Sequence, residues 1–375
     1  MHIGFDASRA SVVERTGTER YSYELLAALA RIDRRNRYTL YSNGLPRTLP
    51  PLGPNVALRA LGLPRLWTHA RLGTETALHP PDVLFIPAHV VPLIHPPRCV
   101  VTIHDLGYLV FPDAHAARRR LELQLSTRWS LHAARQVIAI SAATKADLVK
   151  HYQADPAKIT VVHHGLNPRF RPANVAQIAA TQARYGLNDP YFLYVGTVQP
   201  RKNLERLIEA VAMLDGRQRT ADGAAHPRPL LVIAGKRGWL SEPIERAARA
   251  AGLGERVRFL GYLPDADLPA LLSGALSFVF PSLYEGFGMP VLEAMACGAP
   301  VLTSNTSALP EVVGDAALLV DPSDTQAIAA GLARLAADPQ LRASLRERGL
   351  ARAASFTWER CARETLAVLN TAAES

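Results

Sequence analysis

Cysteine is scarce in this chain. Cys99, Cys297 and Cys361 are its only three, they lie far apart, and no CxxC pair occurs. That excludes a disulfide framework and a thiolate zinc site, and it suits a reducing cytoplasm. Long apolar runs are missing as well: none approaches the roughly 20 residues that a bilayer-spanning helix needs. The opening MHIGFDASRA has no basic region followed by an apolar stretch; it reads as a first strand, so no signal peptide is expected. Aromatic residues are 7% of the chain and do not interleave with basic ones. With no DNA- or RNA-binding module in view, nucleic acid is not expected as a partner. Neither a DxD-like pair nor a His/carboxylate cluster at metal-ligand spacing stands out, so no metal is expected. Short-period repeats and low-complexity tracts are absent.

What is present is a soluble composition, 48% hydrophobic and 20% charged, over 375 residues. That length exceeds one compact core, and two domains of roughly 150 to 200 residues imply a cleft. Net charge is +9 and uneven: of 42 Lys+Arg and 33 Asp+Glu, residues 1–172 hold 22 and 12, and the remainder 20 and 21. A basic first half could meet nucleic acid, anionic lipid or a phosphorylated substrate, or could simply be solvated; charge alone does not choose. The Arg118, Arg119, Arg120, Arg128 and Arg135 stretch concentrates it, as a peripheral contact with an anionic membrane or as an ordinary solvated helix.

Short runs rich in Val, Ile and Phe alternate with amphipathic segments. HIGFD, DVLFI, RCVVTIHD, QVIAIS and KITVVHHG read as strands in the first half, and YFLYVGT, PLLVIAG, RVRFLGY, LSFVFPS and APVLTSN in the second. TERYSYELLAALARI, ARRRLELQLSTRWSLHAAR, NLERLIEAVAML, SEPIERAARAA and DLPALLSG read as helices between them. Alternation of this kind predicts parallel sheets covered on both faces. Gly165, Pro168 and Pro172 interrupt both periodicities near residues 165–175, placing domains at 1–172 and 173–356. A last helix over about 357–371, capped by Thr357, is expected to pack back on the first domain.

In parallel sheets, ligands gather at the carboxyl ends of strands. At PSLYEGFGMPVLEAMACGAPVLTSN, Gly286, Phe287, Gly288 and Met289 turn from a strand into a helix with Pro290 as its first residue. Glycines permit close approach, and a helix N-terminus favours an anion such as phosphate. Glu285 on the loop and Glu293 one turn inside could reach hydroxyls of two rings, or could merely complement the dipole. In YVGTVQPRKNLERLIEA, Arg201 and Lys202 precede a helix beginning near Asn203. Its dipole disfavours them unless an anion lies between, so they mark a diphosphate site or a solvated pair. His104 ends the strand of RCVVTIHDLGY, as a satisfied structural histidine or a functional one. Gly17 and Thr18 precede another helix, a fourth potential anion contact.

Together these residues resemble the retaining glycosyltransferases of GT-B fold in glycosyltransferase family 4, or group 1, over nearly the whole chain. EGFGMPVLEAMACGAPV is similar to that family's Glu, seven residues, Glu motif, YVGTVQPRKNL to its diphosphate segment, and TGTERYSYELL to its N-terminal loop. Bacterial members using GDP-mannose or related donors for surface polysaccharides and glycolipids look closest, through GT, PRKN and ALPEVVGDAALLVDP. The resemblance implies two Rossmann-like parallel-sheet domains facing each other across a cleft, the first binding acceptor and the second nucleotide sugar. It implies a hexosyltransferase, mannose favoured, acting on a glycan or lipid-linked acceptor in the cytoplasm and needing neither cofactor nor metal. Arg201 and Lys202 would neutralise the donor diphosphate with help from Gly17, Thr18 and the amides near Phe287 to Met289. Glu293 would hold the ribose, Glu285 would contact the transferred sugar, His104 would lie at the reacting face, and Gly261, Tyr262 and Leu263 would border the base. Ser304 and Asn305 would face the same cleft without an assigned role. One departure is Thr197, where many relatives carry Arg after the strand-ending glycine. The family's mechanism is same-face attack with the leaving phosphate as base; Glu285 is the one obvious carboxylate for a double displacement. The competing reading is a non-catalytic two-domain nucleotide-sugar-binding or regulatory protein.

Overall fold

The structure is a computed structural model describing residues 1–15, 17–112, 116–217, 229–238 and 242–374. Thr16 of TGTERYSYELL and Ser241 of SEPIERAARAA lie outside the described residues. The chain forms two compact units, Met1–Asn167 with Phe356–Ser375, and Pro168–Ser355.

The first unit is built on seven strands: β1 (His2–Asp6), β2 (Arg37–Ser42), β3 (Val56–Ala60), β4 (Val83–Ile86), β5 (Cys99–Ile103), β6 (Gln136–Ala139) and β7 (Ile159–Val161). Every pairing is parallel, in the order β3-β2-β1-β4-β5-β6-β7. Because side chains alternate across a strand, the continuous apolar runs feed two cores. Ile3, Phe5, Val83, Phe85 and Val100 point to one face, Leu84, Ile86, Val101 and Ile103 to the other. The first face is covered by helices Gly17–Ile32 and Trp358–Glu374, whose Leu25, Leu29, Trp358, Cys361 and Leu369 are buried there. Thr357 Oγ1 accepts from the Arg360 amide at 3.1 Å, capping that last helix. Gly165 admits it closely: a Cβ built there would stand 2.3 Å from the Trp358 amide nitrogen. Truncating a core residue such as Leu369 to Ala costs about 2–5 kcal/mol.

Among its described residues the second unit has six strands: β8 (Tyr191–Val195), β9 (Leu230–Ala234), β10 (Val257–Gly261), β11 (Ser277–Phe280), β12 (Val301–Ser304) and β13 (Leu318–Val320). They too pair only in parallel, in the order β10-β9-β8-β11-β12-β13. Strands β2, β3 and β13 are absent from the sequence reading. β3 is an edge strand exposed along most of its length and β13 has three residues, so neither shows a buried apolar run, while tyrosines and polar residues break up the run in β2. In both sheets the order reverses once, at β1/β4 and at β8/β11. Such a reversal leaves a crevice at the carboxyl ends of the two strands, because their crossover helices leave in opposite directions.

Candidate functional site

At the β8/β11 reversal the loops from both strands meet. Gly196 ends β8, a short turn of 3₁₀ helix spans Pro200–Lys202, and Asn203 takes the left-handed conformation (φ 60°) before helix Leu204–Arg217. The helix therefore starts one residue beyond Asn203, which instead donates through Nδ2 to the Pro281 and Pro322 carbonyls at 3.0 and 2.6 Å. This ties the β8 loop to the end of β11. The Leu283 amide donates to the Arg201 carbonyl at 3.0 Å, and the Arg201 guanidinium donates to the Tyr284 carbonyl.

These bonds set Arg201 and Lys202 on either side of Glu285. Arg201 Nη1 lies 3.1 Å from Glu285 Oε2, and Lys202 Nζ lies 2.5 Å from Glu285 Oε1. Lys202 and Glu285 are 7% and 8% exposed, enough burial to make an unpaired charge there costly. Ser282 Oγ donates a further bond to Oε1 at 2.6 Å, and Lys202 Nζ sits 4.8 Å over the Phe280 ring. Burial alone would push the Glu285 carboxyl upward; Lys202 and Arg201 more than offset that and hold it below the ordinary carboxylate range. The conflict between two cations and a helix start is thus met inside the protein by Glu285. Two cations thus stand together at the strand ends, a placement that suits a diphosphate.

Beyond Glu285 the chain turns through Gly286–Gly288 into helix Met289–Ala296. Gly288 caps it with φ 109°, and a Cβ there would meet Leu309 Cδ2 at 2.7 Å, so the turn needs glycine twice over. Pro290 is the second helical residue, not the first, because the left-handed Gly288 cap hands Met289 to the helix. Glu293 is the fifth and is buried. Gly261, Tyr262 and Leu263 lie at the same carboxyl edge but on β10, the outermost strand. Gly261 has φ 70°, Tyr262 is exposed beneath Lys236 Nζ, 4.9 Å from its ring centre, and Leu263 is buried. The structure thus brings Arg201, Lys202, Glu285 and the Gly286–Met289 turn together, with Gly261–Leu263 further along the edge.

The remaining predicted residues belong to the first unit. His104 follows β5, buried, and its Nε2 donates to the Pro87 carbonyl at 2.9 Å in the neutral tautomer that keeps the proton there. Tyr21 meets it edge-on with ring centres 4.9 Å apart, and His164 at 5.8 Å. Burial, reinforced by His89, pushes the His104 pKa down to about 4, so it is neutral at pH 7. Gly17 and Thr18 form the first turn of the Tyr21 helix, and Gly17 faces open space. The β1/β4 reversal next to them opens into a cavity of about 980 Å³, lined in part by Asp6, Arg9, His69, His89 and Val90. Val90 has φ 97°, a strained value for a β-branched residue and a feature that concentrates at functional sites.

Sequence reasoning missed Ser282 and Ser307, which support Glu285, and left Ser304 without a role. Ser307 Oγ accepts from the Glu285 amide at 3.0 Å, and Ser304 Oγ donates to the Ser282 carbonyl at 2.7 Å. Ser304 is buried and positions this loop, whereas Asn305 is exposed. Their signal was the run of small polar residues closing β12. Among the described residues, no three of His, Cys, Asp and Glu converge as metal ligands, and no helix is long and apolar enough to cross a membrane.

Two parallel sheets, each with one strand reversal, define a doubly wound α/β protein with two Rossmann-like units. Its second unit matches the family profile "Glycosyl transferases group 1" over residues 179–352, and its first matches "Glycosyltransferase Family 4" over 15–170. The chain is 36% identical to O-antigen chain mannosyltransferase B of Escherichia coli over 274 residues, 72% of this chain and 69% of that protein. It is 31% identical to the serotype-specific mannosyltransferase WbdA of Escherichia coli over 73% of its own length but 33% of WbdA's. Among solved structures, the Anabaena protein Alr3699/HepE in complex with UDP-glucose superposes with a TM-score of 0.74 at 18% identity, over 99% of this chain and all of that one. The chain therefore belongs to the group 1, family 4 glycosyltransferases, of GT-B fold.

Proposed function

We propose that the protein is a retaining hexosyltransferase that moves mannose from a nucleotide-diphosphate sugar, GDP-mannose favoured, to a glycan or lipid-linked acceptor in polysaccharide or glycolipid synthesis. The observation that carries this is the Arg201, Lys202 and Glu285 cluster against the Gly286–Met289 turn at the β8/β11 reversal. Breaking an anomeric C–O bond develops negative charge on the departing diphosphate. Cations at the strand ends and helix-terminal amides stabilise that charge, and no metal is invoked for the task. On this reading the diphosphate draws Arg201 and Lys202 partly away from Glu285, freeing the carboxylate to accept from hydroxyls of the transferred sugar. Glu293 takes the ribose, Gly261–Leu263 border the base, and Gly17 and Thr18 assist the phosphates. His104, neutral and buried, accepts a hydrogen bond from a hydroxyl of the reacting sugar through Nδ1, and the cavity at the β1/β4 reversal takes the acceptor. The mannosyltransferase relatives support the sugar, and the relative solved with UDP-glucose supports a nucleotide-sugar donor. The three buried, unbridged cysteines suit a reducing cytoplasm.

Lys202→Ala removes one of the two cations and is expected to lower turnover by about 10² to 10³-fold, the scale seen when one such stabilising donor is lost. Lys150→Ala, on an exposed helix surface, is expected to leave turnover unchanged. Equal activities of the two variants in a sugar-transfer assay would refute the phosphate assignment. A thermal-shift series with GDP, UDP and ADP identifies the base, since a selective ligand raises stability with the logarithm of concentration over Kd. Donor binding without turnover across an acceptor panel would instead favour the non-catalytic binder.

A further inference from the structure

Asp6 ends β1 at its reversal with β4 and lines the cavity of about 980 Å³ that opens there. It is 6% exposed, and a carboxylate stripped of water is costly unless donors replace that water. Among the described residues Ser8 is its hydrogen-bond partner: the Ser8 amide donates to Oδ1 at 3.0 Å, and the Ser8 hydroxyl adds to it. A carboxylate has about four lone-pair sites, so room for further donors remains. Arg9 does not fill it, since its Nη1 lies 3.1 Å from Glu19 Oε1. The cavity walls are held in costly backbone. Trp67–Leu72 is a π-helix, entered by Leu66 at φ 57°, and Val90 stands at φ 97°. Leu66, Trp67 and Val90 all line this one cavity, and such conformations persist where function holds them. Charge is graded from rim to floor. Arg9 and Arg47 are exposed, as is Glu14, whereas the buried charged residue is Asp6. His89 beside it is lowered below 6.5 by burial, against the pull of Asp105, and is uncharged at pH 7.

We propose that Asp6 selects an uncharged sugar as the acceptor: its carboxylate takes hydrogen bonds from hydroxyl groups of the sugar that enters the cavity, and it turns away sugar phosphates. The assignment rests on the reading of this cavity as the acceptor site and narrows it to the chemistry of the entering residue, whatever chain or lipid stands behind that residue. A sugar hydroxyl returns to Asp6 the hydrogen bonds that burial took away. A phosphate in the same place would set two anions together where little water remains, a repulsive element of the kind that gives specificity. The exposed arginines at the rim do not reverse this, because solvent screens them and Arg9 already has Glu19 as its partner.

The test is calorimetric titration of the full chain, without donor, with a panel of neutral disaccharides led by mannobiose and with mannose 6-phosphate and glucose 6-phosphate. At least one neutral disaccharide is expected to bind, about tenfold or more tighter than either sugar phosphate. Asp6→Asn keeps the shape and an acceptor for the Ser8 amide. It should weaken that disaccharide about tenfold or more, the scale of hydrogen bonds to a charged group, while the melting temperature and the GDP-induced thermal shift stay at parental values. If the variant fails to fold, the Ser8 amide resonance of the isotope-labelled parental chain decides: the disaccharide should move it and the sugar phosphates should not. Parental affinity in the folded variant, equal or tighter binding of the sugar phosphates, an unmoved Ser8 resonance, or no disaccharide binding overturns the proposal. Disaccharide binding that depends on Asp6 in a chain giving no shift with GDP, UDP or ADP would instead refute the donor reading and leave this assignment standing.

Discussion

The carboxyl edges of the two sheets solve one problem in opposite ways. Both units place polar side chains at the carboxyl edge of a parallel sheet, half inside the protein, where charge is expensive. Beyond β5 and β7 in the first unit the polar groups stay neutral: burial holds His104 and His164 unprotonated, and Tyr21 beside them protonated. At β8/β11 they stay charged, because Arg201 and Lys202 pair with Glu285. A neutral edge suits hydroxyl-rich ligands, which need hydrogen bonds and no counter-charge. A charged edge suits a diphosphate. The contrast teaches that the same topology takes its chemistry from whether its strand-end residues have partners of opposite sign.

Breaking the charged edge is the largest expected effect. Glu285→Gln keeps the shape but takes the carboxylate from between Arg201 and Lys202, and losing one member of a buried ion pair costs about 3–5 kcal/mol. The second unit's urea midpoint, followed by hydrogen exchange of β8 and β11 amides, should fall accordingly. A loss below about 1 kcal/mol, the range of exposed pairs, would mean that solvent screens the cluster.

Acid should separate the two edges. His104 has a folded pKa of about 4, below its unfolded value of 6.5, so the unfolded chain binds the proton more readily. Its stability contribution is complete above pH 6.5 and lost as pH falls toward 4, at up to about 1.4 kcal/mol per pH unit. Glu285 is also depressed, from 4.5, so its contribution persists above that value and is lost only as pH drops further. The first unit is therefore expected to weaken at milder acidity than the second. His104→Asn should remove about one proton from the slope between pH 6.5 and 4, leaving the part that His164, lowered well below 6.5, supplies. An unchanged slope would show that His104 does not titrate in this range.

Much of this comparison was legible beforehand. The apolar runs located ten of the strands, and the Pro200–Lys202 and Gly286–Pro290 segments marked the chemistry, because buried parallel strands and glycine turns both leave local signatures. Strand order leaves none. That β8 neighbours β11, and so that Lys202 meets Glu285 across 83 positions of sequence, follows from tertiary pairing alone. Ser282 and Ser307 were missed, and Ser304 was left without a role, for the same reason, since a serine that steadies a loop looks like any other serine. Helices Thr325–Ala337 and Pro339–Ala354 did carry local signals, the caps Asp324 and Asp338 with Pro339 at the first position, and a reading centred on strand ends passed over them.

Two glycines sharpen the contrast at smaller scale. Gly288→Ala puts a side chain on a left-handed residue and drives its Cβ to 2.7 Å from Leu309, so a loss of about 1–3 kcal/mol is expected in the melting of the second unit. Gly17 faces the opposite situation. It starts a helix, needs no left-handed conformation, and has nothing within 4 Å of an added Cβ, so Gly17→Ala should change stability by no more than about 0.5 kcal/mol. That makes it a clean probe of ligand approach. If the donor phosphates come up against this backbone, the added methyl raises the KM for donor while the fold is untouched. If KM and melting temperature both stay at parental values, the open space beside Gly17 belongs to solvent, and the phosphates rest on the β8/β11 edge alone.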